Sequence, residues 1–348
     1  MLQPNLVVMR NGATVPHIIE TAPAMIRIPE APCPFCGNFA SEMFCRTLSE
    51  DGTHHNFAGC TKCGTTFLWP PPSEAQLQKA YASNYYGEGE TKFNGSIERL
   101  RDASAIFRFK NMAKRLPRDA SILDVGCGDG RLLGCFSKAG FRQLHGIEPP
   151  GRAAERAAKI PGINLHLGTL ATVDLAPASF DLITLVHVYE HLPAPRETLD
   201  RLARSIRTGG RLFLSFPNIS SWQARFAGGH WFHLDPPRHL SLVPPKTVIT
   251  HLEANGFKLV SQQHLCLEQN TYGWIQSILN RCDNARNFLY ERLKRNRTYM
   301  PERGAVNLLL HAAAGGLLVV PAIIADLFSA MANSGATVEL MFEKTTVP

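Results

Sequence analysis

The sequence predicts an α/β protein built on a mostly parallel sheet, preceded by a small cysteine-rich unit. Three observations lead there. Between residues 73 and 265, short apolar runs of strand type alternate with stretches of helical periodicity, the pattern of successive βα units. One of those runs, Ile122-Leu-Asp-Val125, feeds directly into the glycine-rich turn Gly126-Cys-Gly-Asp-Gly130. Two Cys-x-x-Cys-Gly knuckles stand at 33–37 and 60–64.

With 348 residues, 45% of them apolar, the chain is long enough for two domains and too apolar to be disordered. Its 36 Lys and Arg exceed its 29 Asp and Glu, a net +7, yet no run of five or six like charges occurs, which argues against a nucleic-acid-binding chain. More than half of the surplus falls in residues 281–303, where Arg281, Arg286, Arg292, Lys294, Arg295, Arg297 and Arg303 face only Asp283, Glu291 and Glu302. The nine cysteines are odd in number and include the two matched pairs, which points to metal and free thiols in a reducing compartment. Residues 1–30 show no secretory pattern, so a cytoplasmic protein is expected.

Five segments follow. Residues 1–30 read as irregular, 31–72 as a zinc ribbon ending in Pro70-Pro71-Pro72, and 73–265 as the α/β core. Residues 266–335 read as long helices, basic first and apolar afterwards, and 336–348 as one more strand. Within the core the expected strands are 121–125, 143–147, 164–167, 180–186, 210–216 and 257–264, with a helix at 245–255 and the last strand at 337–342.

The strongest chemical signal is the glycine turn. Gly126, Gly128 and Gly130 let backbone approach a ligand where the next helix offers free N–H groups. Arg131 stands where a dinucleotide fingerprint needs its third glycine, which favours a ligand without a pyrophosphate. The second strand ends in Glu148, a carboxylate able to accept both hydroxyls of a ribose, and the third in Gly168-Thr169-Leu170. With ILDVGCGDG at 122–130, GIE at 146–148, FDLITLVHVYEHL at 180–192, GGRLFLSFPN at 209–218 and ATVELMFEK at 336–344, the chain resembles the class I S-adenosylmethionine-dependent methyltransferases, and within them the ubiquinone-biosynthesis-like O-methyltransferases. The resemblance implies a Rossmann-like, seven-stranded sheet whose last strand is antiparallel, with S-adenosylmethionine as cofactor. It implies further that Asp124, Gly126 and Gly128 surround the methionine end, that Glu148 holds the ribose, and that Thr169 and Leu170 border the adenine. Where relatives commonly have an acid after the glycine of the adenine loop, this chain has Thr169.

Such a cofactor carries an activated methyl group, so the protein has to position an acceptor and manage its proton. The loop after the fourth strand supplies His187, read as a cofactor contact, and Glu190 and His191, with His191 as the candidate base oriented by Glu190 or by backbone. Some relatives are thought to hold a metal near an acidic version of this loop; His187 and Val188 here argue against one. A second concentration, Gly229-His-Trp-Phe-His-Leu-Asp-Pro-Pro-Arg-His-Leu-Ser241, offers His233 and His239 as alternative bases and aromatics to cover an apolar acceptor, or else forms an ordered lid whose polar groups bond backbone. The expected acceptor is small or lipid-like and the expected transfer is to oxygen. Transfer to nitrogen or carbon, and a non-catalytic cofactor-binding protein, remain alternatives.

Cys33, Cys36, Cys60 and Cys63 form two knuckles 23 residues apart, long enough for a hairpin between them, and a closed Cys₄ shell implies structural zinc. The resemblance further implies that a leader helix with Ile97, Leu100, Ile106 and Phe107 covers the cofactor and that Tyr85 or Tyr86 touches it, with packing into the core as the alternative for these tyrosines. Val306–Ala325 is uncharged for twenty residues. If the strands flanking it are neighbours in one sheet, a single membrane crossing is excluded, which leaves a helical hairpin, a helix in the membrane interface, or a packing helix under substrate or in a homodimer. Peripheral membrane contact through residues 281–332 is therefore an expectation to be met or displaced.

Overall fold

The computed structural model describes residues 6–8, 14–16, 27–28, 30–81, 95–114, 116–282, 286–293 and 305–345. Near the N-terminus, in the segment read as irregular, β1 (Leu6–Val8) pairs antiparallel with β2 (Thr14–Pro16). The cysteine-rich unit comprises β3 (Ser41–Leu48), β4 (His54–Cys60) and β5 (Thr66–Leu68). Helix α1 (Glu74–Ala80) follows, started by a capping box in which Ser73 Oγ accepts from Gln76 N and Gln76 Oε1 accepts from Ser73 N. Then come α2 (Gly95–Ala113), β6 (Ser121–Val125), α3 (Arg131–Lys138), β7 (Gln143–Glu148), α4 (Arg152–Ala157), β8 (Ile163–Leu167), β9 (Phe180–Val186), α5 (Pro195–Ser205) and β10 (Ile206–Pro217). The rest is α6 (Trp222–Ala227), β11 (Ser241–Leu242), α7 (Pro245–Ala254), β12 (Phe257–Gln263), α8 (Leu267–Cys282), α9 (Phe288–Leu293), α10 (Ala305–Met331) and β13 (Thr337–Lys344).

Seven strands form one sheet in the order β12-β13-β10-β9-β6-β7-β8, with β13 antiparallel to both neighbours. This is the doubly wound sheet with an antiparallel strand that the sequence implies. Strand order reverses at β6, the place where open α/β sheets bind ligands beyond the strands' carboxyl ends. Both faces of the central strands are covered, and the period of two decides which residue goes where. Leu123, Val125, Leu212, Leu214, Val338 and Leu340 enter the core on one face, and Ile122, Phe213 and Met341 on the other. Lys344, at the end of β13, is buried and donates to the carbonyls of Ala203 (2.7 Å) and Ile206 (2.9 Å), placing a cation and two donors at the C-terminal end of α5.

The cysteine-rich unit shares a sheet with the core. β11, contributed by residues 241–242, pairs with β5 and extends the β3–β5 sheet to four strands. Thr247 Oγ1 donates to Cys63 O at 2.8 Å, and the Arg286 guanidinium donates to Thr47 Oγ1 (2.6 Å), Gly229 O (3.0 Å) and Trp231 O (2.7 Å). Arg286 is thus an internal strut between β3 and the 229–231 loop, so one cation of the basic stretch is spent inside the protein. Burial pushes its pKa down to about 10.

α10 is one continuous helix with Pro321 inside it, which removes the helical hairpin from the expectations. Gly315 does not break it: a Cβ there would lie 3.1 Å from Leu289 Cδ2, so the glycine serves close packing against α9. By length and hydropathy alone Val306–Met331 meets the requirement for a membrane span, but its flanking strands β12 and β13 are neighbours in one sheet. A single crossing is incompatible with that pairing.

Candidate active site

The site grows from the carboxyl ends of β6, β7 and β9. After β6 the backbone turns through Gly126, Gly128 and Gly130 with φ of +66°, +57° and +73°. A side chain at Gly126 would also collide with Val188, whose Cγ2 lies 2.5 Å from the place a Cβ would take, so the turn and the loop after β9 pack against each other only because that position is glycine. Glu148, at the end of β7, is 4% exposed and accepts from Gly128 N at 2.9 Å, which fixes the turn from below. Asp124 is equally buried. Its burial raises the pKa to about 7, against the hydrogen bond from Thr184 Oγ1 at 2.6 Å.

A cavity of about 1120 Å³ runs from this turn to the helices of the 266–335 segment. It exceeds the roughly 300–1,000 Å³ of ordinary small-ligand pockets, enough room for a cofactor and an acceptor together. Asp124, Gly126, Gly128, Glu148, Thr169, Leu170, His187 and His191 all line it, so the structure brings the sequence-derived cofactor residues and the candidate base to one space. Thr169 N already donates to Thr172 Oγ1 (2.9 Å), which leaves its side chain for a ligand. The glycine cradle, the buried carboxylate of Asp124 and the strand-end carboxylate of Glu148 fit the methionine and ribose ends of S-adenosylmethionine.

His191 is oriented by backbone rather than by Glu190. Its Nδ1 lies 3.0 Å from Arg238 O and 3.0 Å from Tyr81 Oη. A carbonyl can only accept, so Nδ1 carries the proton and Nε2 keeps the lone pair. Burial drives its pKa down to about 4, so the ring is neutral at physiological pH. Glu190 sits behind it at 2% exposure; burial pushes its pKa up, but His187, whose Nδ1 is 3.5 Å away, His191 and His239 outweigh that and hold it at about 2. Glu190, His191 and His239 place ligand atoms within 4.8 Å of one another, a donor set of the kind divalent transition metals accept.

The two alternative bases do not line the cavity. His233 is 4% exposed, lies against Gly273 of α8, and is pushed by burial to about 3. His239 Nδ1 bonds His233 O at 2.7 Å, and its Nε2 faces Glu190 and Asp235, each at 3.9 Å. Of the loop's aromatics, Phe232 reaches the cavity, whereas Trp231 is fully buried with Nε1 donating to Gln223 Oε1. The loop is a clamp: Arg238, 4% exposed, holds Asp235 (Nε–Oδ2 2.9 Å) and Glu50 of the cysteine-rich unit (Nη2–Oε1 2.6 Å) while its carbonyl orients His191. Arg238→Ala is expected to lower stability by about 3–5 kcal/mol, because it removes the buried guanidinium that both carboxylates face. Denaturant unfolding will read the loss, and an unchanged midpoint would refute the clamp.

Arg201, Tyr272 and Tyr290 escaped the sequence reading, which took Arg131 only as the replacement of a glycine and Phe232 only as one of the loop's aromatics. Arg131 pairs with Glu98 (2.6 Å), Asp129 (3.0 Å) and Asp102, binding α2 over the glycine turn. Arg201 of α5 donates to the carbonyls of Leu170 and Val173, fixing the 168–173 loop. Phe232, Tyr272 and Tyr290 stand with ring centroids 5.1–5.8 Å apart at the far end of the cavity. Their positions lie far apart in sequence, so only the fold could assemble them. Tyr85 and Tyr86 lie outside the described residues; Tyr81 is the tyrosine found beside His191.

Cys33, Cys36, Cys60 and Cys63 bring their sulfurs within 4.8 Å of one another, with Cys33–Cys63 at 3.5 Å and Cys36–Cys60 at 3.6 Å. Tetrahedral metal–sulfur bonds of about 2.3 Å require sulfur–sulfur edges of about 3.8 Å, so the donor set and spacing fit zinc. Each knuckle closes with a positive-φ glycine, Gly37 N bonding Cys33 O and Gly64 N bonding Cys60 O, both at 2.9 Å. The hairpin expected between the knuckles is β3–β4.

Residues 98–262, from α2 to β12, match the family model described as a methyltransferase domain. The chain contains a methyltransferase domain. Curated relatives of that domain include the ubiquinone biosynthesis O-methyltransferase of Idiomarina loihiensis, 26% identical over 151 residues, which covers 38% of this chain and 59% of the relative. The enzyme of the same name from Xylella fastidiosa is 32% identical over 129 residues, covering 32% and 48%. The chain thus spans about half to three fifths of the length of these relatives. Similar solved structures include an S-adenosylmethionine-dependent methyltransferase of Thermotoga maritima (TM-score 0.42, 17% identity, 72% of this chain and 91% of that one) and the [4+2]-cyclase SpnF (TM-score 0.48, 14% identity, 79% and 92%).

Proposed function

We propose that this chain is an S-adenosylmethionine-dependent methyltransferase that methylates an oxygen of a small or lipid-like acceptor, with a structural zinc in its N-terminal unit. The observation that carries the reading is the continuous cavity joining the glycine turn and Glu148 to His191 and to the Phe232–Tyr272–Tyr290 wall. When bound, the cofactor supplies a methyl group already activated on a sulfonium.

The remaining work falls to side chains. Glu148 accepts from the ribose hydroxyls, and Asp124 and the glycine backbone seat the methionine end. The aromatic wall holds an apolar or ring-bearing acceptor with its hydroxyl toward the loop after β9. His191 Nε2 takes the hydroxyl proton as the oxygen becomes a nucleophile, and Arg238 O and Tyr81 Oη steady the ring through Nδ1. A neutral imidazole down to about pH 4 keeps that nitrogen available across physiological pH. The O-methyltransferase relatives favour oxygen as the acceptor atom.

The test is methyl-labelled cofactor with the full chain and cell extract separated into lipid, small-molecule and macromolecule pools. Label is expected as a methyl ether in the lipid or small-molecule pool, and His191→Ala should slow transfer roughly 10²–10⁴-fold at unchanged cofactor affinity. Cofactor binding without label in any pool would favour the non-catalytic reading, and label on nitrogen or carbon would reassign the acceptor atom.

A further inference from the structure

The polarity of α10 runs inside out. Its polar residues face the protein: Asp326 and Ser329 are buried, Asp326 Oδ1 accepting from Asn270 Nδ2 at 2.9 Å, and His311 rests against the Phe288 ring. Gly315 and Ala322 also point inward, against Ile275 and Leu279 of α8 and Leu289 of α9. The outward face carries Leu309, Leu310, Leu317, Val320, Phe328 and Met331, each 61–81% exposed. Their spacing keeps them on one side through the whole 27-residue helix, about 40 Å long. The patch is on the order of 1,000 Å², where the largest apolar patch of a typical monomer is about 300–600 Å².

We infer that this face seats α10 in the headgroup–acyl boundary of an anionic membrane, its axis in the membrane plane, so that the protein is a peripheral membrane protein. Three observations select this occupant. Aromatic side chains stand at the rim: Trp222 and Phe226 of α6 are 42% and 48% exposed, Phe226 lies 5.6 Å from the Trp274 ring, and Trp222 N bonds Ser334 just past the end of α10. An indole ring such as that of Trp222, apolar with one N–H, favours the membrane–water interface, and Phe226 adds apolar surface beside it. Among the described residues the charges at this rim are of one sign. Arg225 and Arg281 are exposed, Arg281 reaching over the Phe226 ring at 5.3 Å, and Arg292 lies over the Phe288 ring. The acids of α8, α9 and α10 turn away, since Glu291 and Asp326 are buried and Glu268 faces Arg108 in the cavity. Cations beside an apolar face complement anionic headgroups.

A second copy fits less well. A twofold-related partner would bring the same arginine-bearing rims, Arg225 and Arg281, together. Seating α10 in a membrane also has a consequence for the site. Val319 of α10 lines the cavity together with Tyr290 and Leu293, so the acceptor end lies directly behind the membrane-facing helix.

The experiment uses the full chain with vesicles of phosphatidylcholine alone and of phosphatidylcholine with one quarter phosphatidylglycerol, read by flotation and by size-exclusion light scattering without lipid. Expected are flotation with the anionic vesicles, weaker flotation at high salt, and at least a tenfold loss in the triple variant Leu310→Glu, Leu317→Glu, Val320→Glu. That variant changes only exposed side chains, so its circular dichroism and melting temperature should match the parent; a misfolded triple variant is replaced by Leu317→Glu alone, expected to lose binding severalfold. No flotation of the parent, flotation unaffected by the substitutions, or a lipid-free dimer that the substitutions dissociate would each overturn the inference. Because flotation needs neither cofactor nor acceptor, its failure would leave the proposed reaction untouched.

Discussion

Glu148→Ala is expected to weaken S-adenosylmethionine binding by a factor on the order of 100 or more, measured by isothermal titration calorimetry. The carboxylate is buried at the end of β7 and bonds Gly128 N, so it serves both the ligand and the turn that faces the ligand. Two charge-assisted hydrogen bonds to a ribose diol contribute about 1.5–3 kcal/mol each, and every 1.4 kcal/mol is tenfold in affinity. Glu148→Gln keeps one acceptor oxygen and should lose less. Asp124 supplies a signature that simple unfolding cannot imitate. With its pKa raised to about 7, it is largely protonated below neutrality and ionised above. An ionised carboxylate attracts the cationic methionine end, so affinity should climb as pH rises through 7 in the parent and stay flat in Asp124→Asn. Unchanged affinity in Glu148→Ala would refute the assignment of this site.

The strands of the sheet were legible because buried parallel strands are written as continuous apolar runs punctuated by glycine or a polar turn. Ser121–Val125 and Phe180–Val186 emerge with the boundaries expected of them. The glycine turn was legible for a similar reason, since local backbone geometry and local chemistry coincide in one segment. The loop at 229–241 was legible as either a source of bases or an ordered lid whose polar groups bond backbone. The bond of His239 to His233 O agrees with the second, and the bonds of Arg238 to Glu50 and Asp235 make the loop a clamp that no sequence pattern could reveal, because Glu50 lies 188 positions away. Of the aromatic wall, Phe232 was expected from its loop as cover for an apolar acceptor, whereas Tyr272 and Tyr290 were invisible because they come from two helices far from that loop in sequence. Charge misled in one place: Arg286 belongs to the basic stretch by sequence, yet it bonds Thr47 and two loop carbonyls inside the protein.

Removing the zinc proposed for Cys33, Cys36, Cys60 and Cys63 is expected to have the largest structural effect of any single change. Four sulfurs within 4.8 Å cannot all ionise without a cation among them, because each thiolate repels the next. Structural zinc in small domains contributes about 10–16 kcal/mol of apparent binding free energy, comparable with the roughly 5–15 kcal/mol by which whole domains are stable. Chelation or Cys60→Ser should therefore unfold β3–β5, read as loss of one zinc per chain by metal analysis and new proteolytic cleavage between residues 31 and 72. The damage should then spread along defined contacts. β11 loses its partner β5, Arg238 loses Glu50, and the carbonyl that orients His191 loses its anchor. Glu148 and Asp124 stand on β7 and β6 of the core sheet and bond Gly128 N and Thr184 Oγ1, groups of the core rather than of the cysteine-rich unit. Cofactor affinity should accordingly survive nearly intact while methyl transfer falls at least tenfold. A metal-free chain that still transfers methyl groups at the parent rate would separate the cysteine cluster from the site and defeat this chain of contacts.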